Sequence, residues 1–284
     1  HKPFMVWADY LTRRGIAVLR TDDRGIGGSG GNSLLAKEED LAADAAAGVA
    51  FVRTQPGIDP ERVGVMGHSE GGAIAPLVAV KADGVRFVVM LAGYAMRGSE
   101  LLRIQNLAIM RGGGIQDEEA LARVAAAHRA AMEAVMNDAP HEEGIRALAE
   151  LIRVQLAANG TEMGEDELRL QAGQQYSTLL TPWFRSFLSF DPSESLKRVR
   201  VPVLAIVGER DLQVPHADAL PGIRAALEEA GNNDVTIATL PGLNHLLQAC
   251  TTGGMDEYAA IEETINPAAL EMVGDWLRLK AGLN

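Results

Sequence analysis

Val63-Gly64-Val65-Met66-Gly67-His68-Ser69-Glu70-Gly71-Gly72-Ala73-Ile74-Ala75 is the stretch on which the rest of the chain turns. A short apolar run of strand character enters Gly-x-Ser-x-Gly, and small and apolar residues of helical character leave it. That context predicts a sharp strand-to-helix turn with a serine at its apex, held in a strained conformation that lifts the hydroxyl clear of the backbone. The glycines two positions either side are expected to remove side chains that would clash there. Ser69 is the candidate nucleophile. The turn also opens a helix, so the backbone N–H of Glu70 falls among the unpaired first-turn donors and can face an oxyanion.

Working upstream, Phe4 to Thr12 reads as a helix, Gly15 ends it, and Ile16-Ala17-Val18-Leu19 reads as a short buried strand. Asp22-Asp23-Arg24-Gly25-Ile26-Gly27-Gly28-Ser29-Gly30-Gly31 follows and contains a literal G-x-G-x-x-G at Gly25, Gly27 and Gly30. A dinucleotide-binding turn would need a helix directly after the glycines, then a strand ending in an acidic residue about 20 positions on. Asp44 stands near that distance but lies inside an alanine-rich helical segment, Glu38 to Arg53. The glycines therefore read as a tight loop at a sheet edge.

Asp59-Pro60-Glu61-Arg62 is a turn into the serine strand, and the helix after the serine runs to about Lys81. Val85 to Leu91 is a strongly apolar strand. Alternating strands and helices of this kind imply a parallel sheet with helices on both faces. From about Met96 to Leu180 the pattern becomes wholly helical, which reads as a lid inserted between two strands of the sheet. The expected division is a first core part at 1–95, the lid at 96–180 and a second core part at 181–284. Met96, Met110, Met132, Met136 and Met163 belong to the lid, as core or as an adaptable apolar lining. Trp183, Phe184 and Phe187, just beyond it, either floor a substrate pocket or pack the lid onto the core. Val201 to Val207 and Val235 to Leu240 are further strands, a helix from about Pro221 to Ala230 joins them, and Asn266-Pro267 starts the last helix.

A serine hydroxyl needs a base within hydrogen-bond reach and a carboxylate to orient that base. Six histidines make elimination practical. His1 is terminal, His128 and His141 lie in the lid, and His68 is expected to face away from its neighbouring serine. His245 follows the last strand in a Pro-Gly loop at the same sheet edge as Ser69, and is preferred to His216. Asp211 stands four residues after the strand ending at Val207, again at that edge, with Glu209 as the alternative.

The chain resembles a bacterial α/β-hydrolase of the serine esterase type over nearly its whole length. The residues that carry the likeness are Asp22 to Gly27, Gly67-His68-Ser69-Glu70-Gly71-Gly72, Gly208 to Pro215 and Leu240 to His245. The Ser, Asp, His order is that of this superfamily. The resemblance implies an α/β-hydrolase fold, a triad of Ser69, Asp211 and His245, a helical lid, and cleavage of esters of small or medium acyl groups through an acyl-enzyme. A peptidase, acyltransferase or thioesterase, or a non-catalytic binding protein of the same fold, is the alternative. Family members carry strands before the first helix, and a loop there supplies the second oxyanion donor. Those N-terminal strands are expected to be missing from this sequence, with that donor upstream of it.

No metal or organic cofactor is needed for such chemistry, and the expected partner is a small-molecule ester. A net charge of −12 argues against nucleic acid or an anionic membrane surface as a partner. Cys250 is the only cysteine, which excludes an intrachain disulfide. No apolar run approaches the roughly 18 residues of a membrane span. Oligomeric state and location are left open by the sequence, which shows no signal peptide and opens without a methionine.

Overall fold

A computed structural model describes residues 2–282. The elements are α1 (Pro3–Arg13), α2 (Glu38–Arg53), β1 (Val65–His68), α3 (Glu70–Lys81), β2 (Val88–Leu91), α4 (Gly98–Gly112), α5 (Glu118–Met136), α6 (His141–Ala158), α7 (Glu165–Leu179), α8 (Pro182–Ser189), α9 (Pro192–Leu196), β3 (Val203–Gly208), α10 (His216–Glu229), β4 (Val235–Leu240) and α11 (Pro267–Ala281). The strands form one sheet in the order β1-β2-β3-β4, all parallel. His68, Leu91 and Ile206 lie in one row across it.

The side chains of the central strands alternate between two cores. Val88, Met90, Val203 and Ala205 pack with Val49, Ile74, Val78, Ile223 and Leu227 from α2, α3 and α10. Val89, Leu91, Leu204 and Ile206 pack with Trp7, Leu11, Val273 and Leu277 from α1 and α11. Helices thus cover both faces. Strands buried on both sides must be apolar throughout, which is why Val-Val-Met-Leu at 88–91 reads as a continuous run.

Helices α4 to α7 form a block with its own core between β2 and β3. Helix α5 shows how the sequence builds it. Asp117 caps the first turn, its carboxylate accepting from the N–H groups of Glu119 and Ala120. Leu121, Val124, Ala131, Met132 and Val135 then recur at helical spacing and are buried. Met110 and Met132 are core residues of the block, and Met96, Met136 and Met163 pack partly buried against it.

Three readings need correction. Ile16 to Leu19 is not a strand: Ile16 and Val18 lean on the α1–α11 core while Ala17 and Leu19 are exposed, and no strand ladder among the described residues takes them up. Alternation without a hydrogen-bonded neighbour leaves an extended segment only. Helix α10 starts at His216, five residues before Pro221, which is exposed and sits inside the helix on its second turn, at the cost of one backbone bond. Of the elbow glycines, Gly71 has open space beside it, whereas a Cβ on Gly67 would lie 2.1 Å from the Gly71 carbonyl oxygen. Gly72 instead permits close packing, with its Cβ position 3.1 Å from the Cα of Gly93.

The loop at 22–31 closes on itself. Gly25 N–H donates to Gly30 O at 2.9 Å, Gly28 N–H to Asp22 Oδ2 at 2.9 Å, and Ser29 Oγ to Asp22 O at 2.7 Å. No α-helix follows until α2, and Asp44 is held by the Arg24 guanidinium at 2.6 and 2.7 Å. The acid is engaged within the protein and no α-helix directly follows the glycines, which speaks against a dinucleotide turn.

Candidate active site

The C-terminal ends of β1, β3 and β4 deliver three side chains to one rim. Ser69 follows β1 directly and caps α3 with φ 57° and ψ −118°. Its N–H donates to Leu91 O at 2.8 Å and its carbonyl accepts from Ala73 N–H at 3.0 Å, so strand and helix grip the strained residue from both sides. The Glu70 N–H opens α3 in the first turn, where a helix leaves donors without intrahelical partners.

Asp211 follows β3 in a turn that it holds itself. Its Oδ1 accepts from the N–H groups of Gln213 and Val214, each at 2.8 Å, and its Oδ2 accepts from His245 Nδ1–H at 2.8 Å. Both side chains are buried. A carboxylate only accepts, so the imidazole proton stands on Nδ1 and Nε2 is left as a base. Glu209 accepts instead from Gly242 N–H at 2.8 Å, and His216 opens α10.

The loop after β4 reaches Asp211 because β3 ends in Gly208. A Cβ there would sit 2.3 Å from Leu243 O. Glu209 N–H to Leu240 O and Arg210 N–H to Leu243 O, both 2.9 Å, join the two loops. Buried Asn244 accepts on Oδ1 from Leu246 and Gln248, fixing the turn that presents His245.

Residue types alone gave no reason to single out His68. Its ring packs on that of His245, centroids 4.8 Å apart, and its Nε2–H donates to the His245 carbonyl at 2.8 Å. The residue next to the serine therefore positions the backbone of His245. Its place in Gly-x-Ser-x-Gly was the only signal, and the long-range contact that gives it meaning is a product of the fold.

Of the three aromatics on α8, Phe187 is buried core, Phe184 lines a cavity in the helical block, and Trp183 donates through Nε1 to Glu70 Oε1 at 3.0 Å. Burial pushes the Glu70 carboxyl up from its ordinary range despite that bond, and also raises Glu38, which is fully buried and accepts from Ser186 Oγ. Among the described residues no group of three or more His, Cys, Asp or Glu side chains could hold a metal ion, and no helix is long and apolar enough to cross a membrane.

Burial, reinforced by His245, holds His68 down to about 4, and burial with nearby Arg103 does the same for His128. As pH falls from 6.5 towards 4 the unfolded chain takes up protons that these folded imidazoles refuse, so their contribution to stability is lost in that window. Glu38 and Glu70, raised when folded, act in the opposite sense and favour folding as pH drops. A variant isolates the histidine share. Denaturant unfolding of His128→Leu and the parent at pH 7 and pH 4 should show the gap moving by about 2–4 kcal/mol in the variant's favour at pH 4. Parallel curves would contradict the assignment.

Comparison with known proteins agrees with this architecture. A family model described as serine aminopeptidase, S33 (Hydrolase_4) matches residues 4–135. Esterase EstD of Thermotoga maritima is 28% identical over 239 residues, covering 84% of this chain. The chain spans about half the length of that curated relative, 47%. Among solved structures, the Pyrococcus furiosus esterase Pf2001 aligns with a TM-score of 0.53 at 15% identity, covering 99% of this chain and 75% of that one. The alpha/beta hydrolase GrgF from Penicillium sp. sh18 aligns with a TM-score of 0.57 at 14% identity, covering 97% and 84%. The chain has the α/β-hydrolase fold. Its likeness is to proteins described as esterases and, over residues 4–135, to the family described as serine aminopeptidase, S33.

Proposed function

We propose that this chain carries the catalytic centre of a serine hydrolase that cleaves carboxylic esters of small or medium acyl groups. The observation that carries the reading is the buried Asp211–His245 pair, with Nε2 left as a base on the rim where Ser69 sits strained on its turn. His245 Nε2 takes the Ser69 proton as Oγ attacks the ester carbonyl, and the Glu70 N–H stabilises the oxyanion. The alkoxide leaves with the proton from His245. Water, deprotonated by the same imidazole, then releases the acid. Asp211 keeps the tautomer and stabilises the imidazolium. Helices α4 to α7, residues 96–180, act as the lid over this rim.

The S33 family description favours one second reading, hydrolysis of an N-terminal amide. The same triad serves, since the acceptor and leaving group are decided outside it.

The experiment is hydrolysis of p-nitrophenyl acetate and butyrate beside an aminoacyl p-nitroanilide, before and after stoichiometric fluorophosphonate. Ester hydrolysis that the phosphonate abolishes is the expected result. Faster anilide hydrolysis would transfer the reading to a peptidase. Ester turnover untouched by full phosphonylation, or none at all, would end it.

A further inference from the structure

Helices α4 to α8 line an open pocket of about 270 Å³ whose walls are mostly Leu, Ile and Met side chains. That is well above the room a single water needs, so the space can take a chain of several methylene-sized groups. Polar side chains interrupt the apolar wall: Gln105, Gln155 and Gln175, and with them Asn106 and His128. Asn106 Oδ1 on α4 and His128 Nδ1 on α5 are both buried and have no hydrogen-bond partner in the protein. His128 is 6% exposed and occupies a slot in the apolar stripe of α5 between Val124 and Met132, where a leucine would do for packing alone. Buried polar groups in proteins are almost always paired, so these two point to something that occupies the space with them.

The cavity lies towards the rim. Phe184, in its wall, packs on Trp183 with ring centroids 5.9 Å apart, and Trp183 is bonded to Glu70 beside Ser69. Gln105, also in the wall, donates to Gln213 two residues after Asp211, at 3.4 Å. No carboxylate, lysine or arginine lines the space, and burial beside Arg103 keeps the His128 imidazole neutral. A neutral ligand end is required, and it must donate to an amide oxygen. A hydroxyl does so and accepts from an imidazole N–H through the same atom.

We propose that this cavity is the acyl chamber of the enzyme and that it selects acyl chains bearing a terminal hydroxyl, held by Asn106 Oδ1 and His128 Nδ1–H. The assignment rests on the reading of Ser69 as the acylated residue and adds a substrate class to it. A site built to bond a hydroxyl discriminates strongly against the analogue that lacks it, because its own buried groups are then left unpaired.

The test compares kcat/KM for p-nitrophenyl 8-hydroxyoctanoate and p-nitrophenyl octanoate. The unaltered protein should prefer the hydroxylated ester by about tenfold or more, and Asn106→Leu and His128→Leu should each bring the ratio to about one, chiefly through KM. Equal values in the unaltered protein would overturn the chamber while p-nitrophenyl acetate turnover leaves the esterase reading standing. If no ester is turned over, that reading has failed, and calorimetry with octane-1,8-diol and octan-1-ol decides the cavity separately. Tighter binding of the diol, lost in Asn106→Leu, supports the site. Equal binding of the two alcohols, or none, overturns it.

Discussion

Replacing Ser69 by alanine should lower ester turnover by about five to six orders of magnitude with the fold retained. The loss is that large because the base and its carboxylate have nothing to activate once the hydroxyl is gone, and members of such a unit do not act independently. The backbone around residue 69 supplies a control. A non-glycine residue at φ 57° costs about 1–2 kcal/mol, and both neighbours of the turn hold it there through the bonds to Leu91 and Ala73. Ser69→Gly should therefore be as inactive as Ser69→Ala yet unfold at higher denaturant than the alanine variant. Equal activity in Ser69→Ala and the parent would remove the serine from the chemistry.

Asp211→Asn should reduce kcat by about four orders of magnitude. The reason is local. Gln213 and Val214 both donate to Oδ1, so an asparagine keeps its carbonyl oxygen there and turns its NH2 towards His245. The imidazole Nδ1 must then accept, its proton moves to Nε2, and that nitrogen can no longer act as a base. Charge loss and tautomer reversal act together in one isosteric change. Circular dichroism of the variant should match the parent, since the turn retains its two N–H bonds. A kcat within tenfold of the parent would mean that another group orients His245.

The contacts around Ser69 and Asp211 were carried by the sequence to different degrees. Helix α2 and strand β4 fall at Glu38–Arg53 and Val235–Leu240 as read, since their boundaries rest on local signals: acidic residues in a first turn, a Val-Thr-Ile run stopped by Pro-Gly. The placement of Ser69, Asp211 and His245 at one sheet edge was legible because each follows a strand of a parallel sheet, and chain order fixes that edge. His68 was not, because the carbonyl it serves is 177 residues away. Ile16 to Leu19 misled because apolar alternation states which side is buried and not whether a neighbour will pair. The cavity between Asn106 and His128 lay beyond reach for a related reason. Each residue alone looks like a polar exception on an amphipathic helix, and only the packing of α4 on α5 makes the two exceptions one site.

The most direct measurement is to treat the protein with a fluorophosphonate and find the modified residue by peptide mass spectrometry. An activated serine beside an oxyanion donor should be phosphonylated at Ser69 with one equivalent, and Asp211→Asn should react far more slowly. An unmodified Ser69 in a folded protein, or modification spread over other serines at the same rate, would contradict the account.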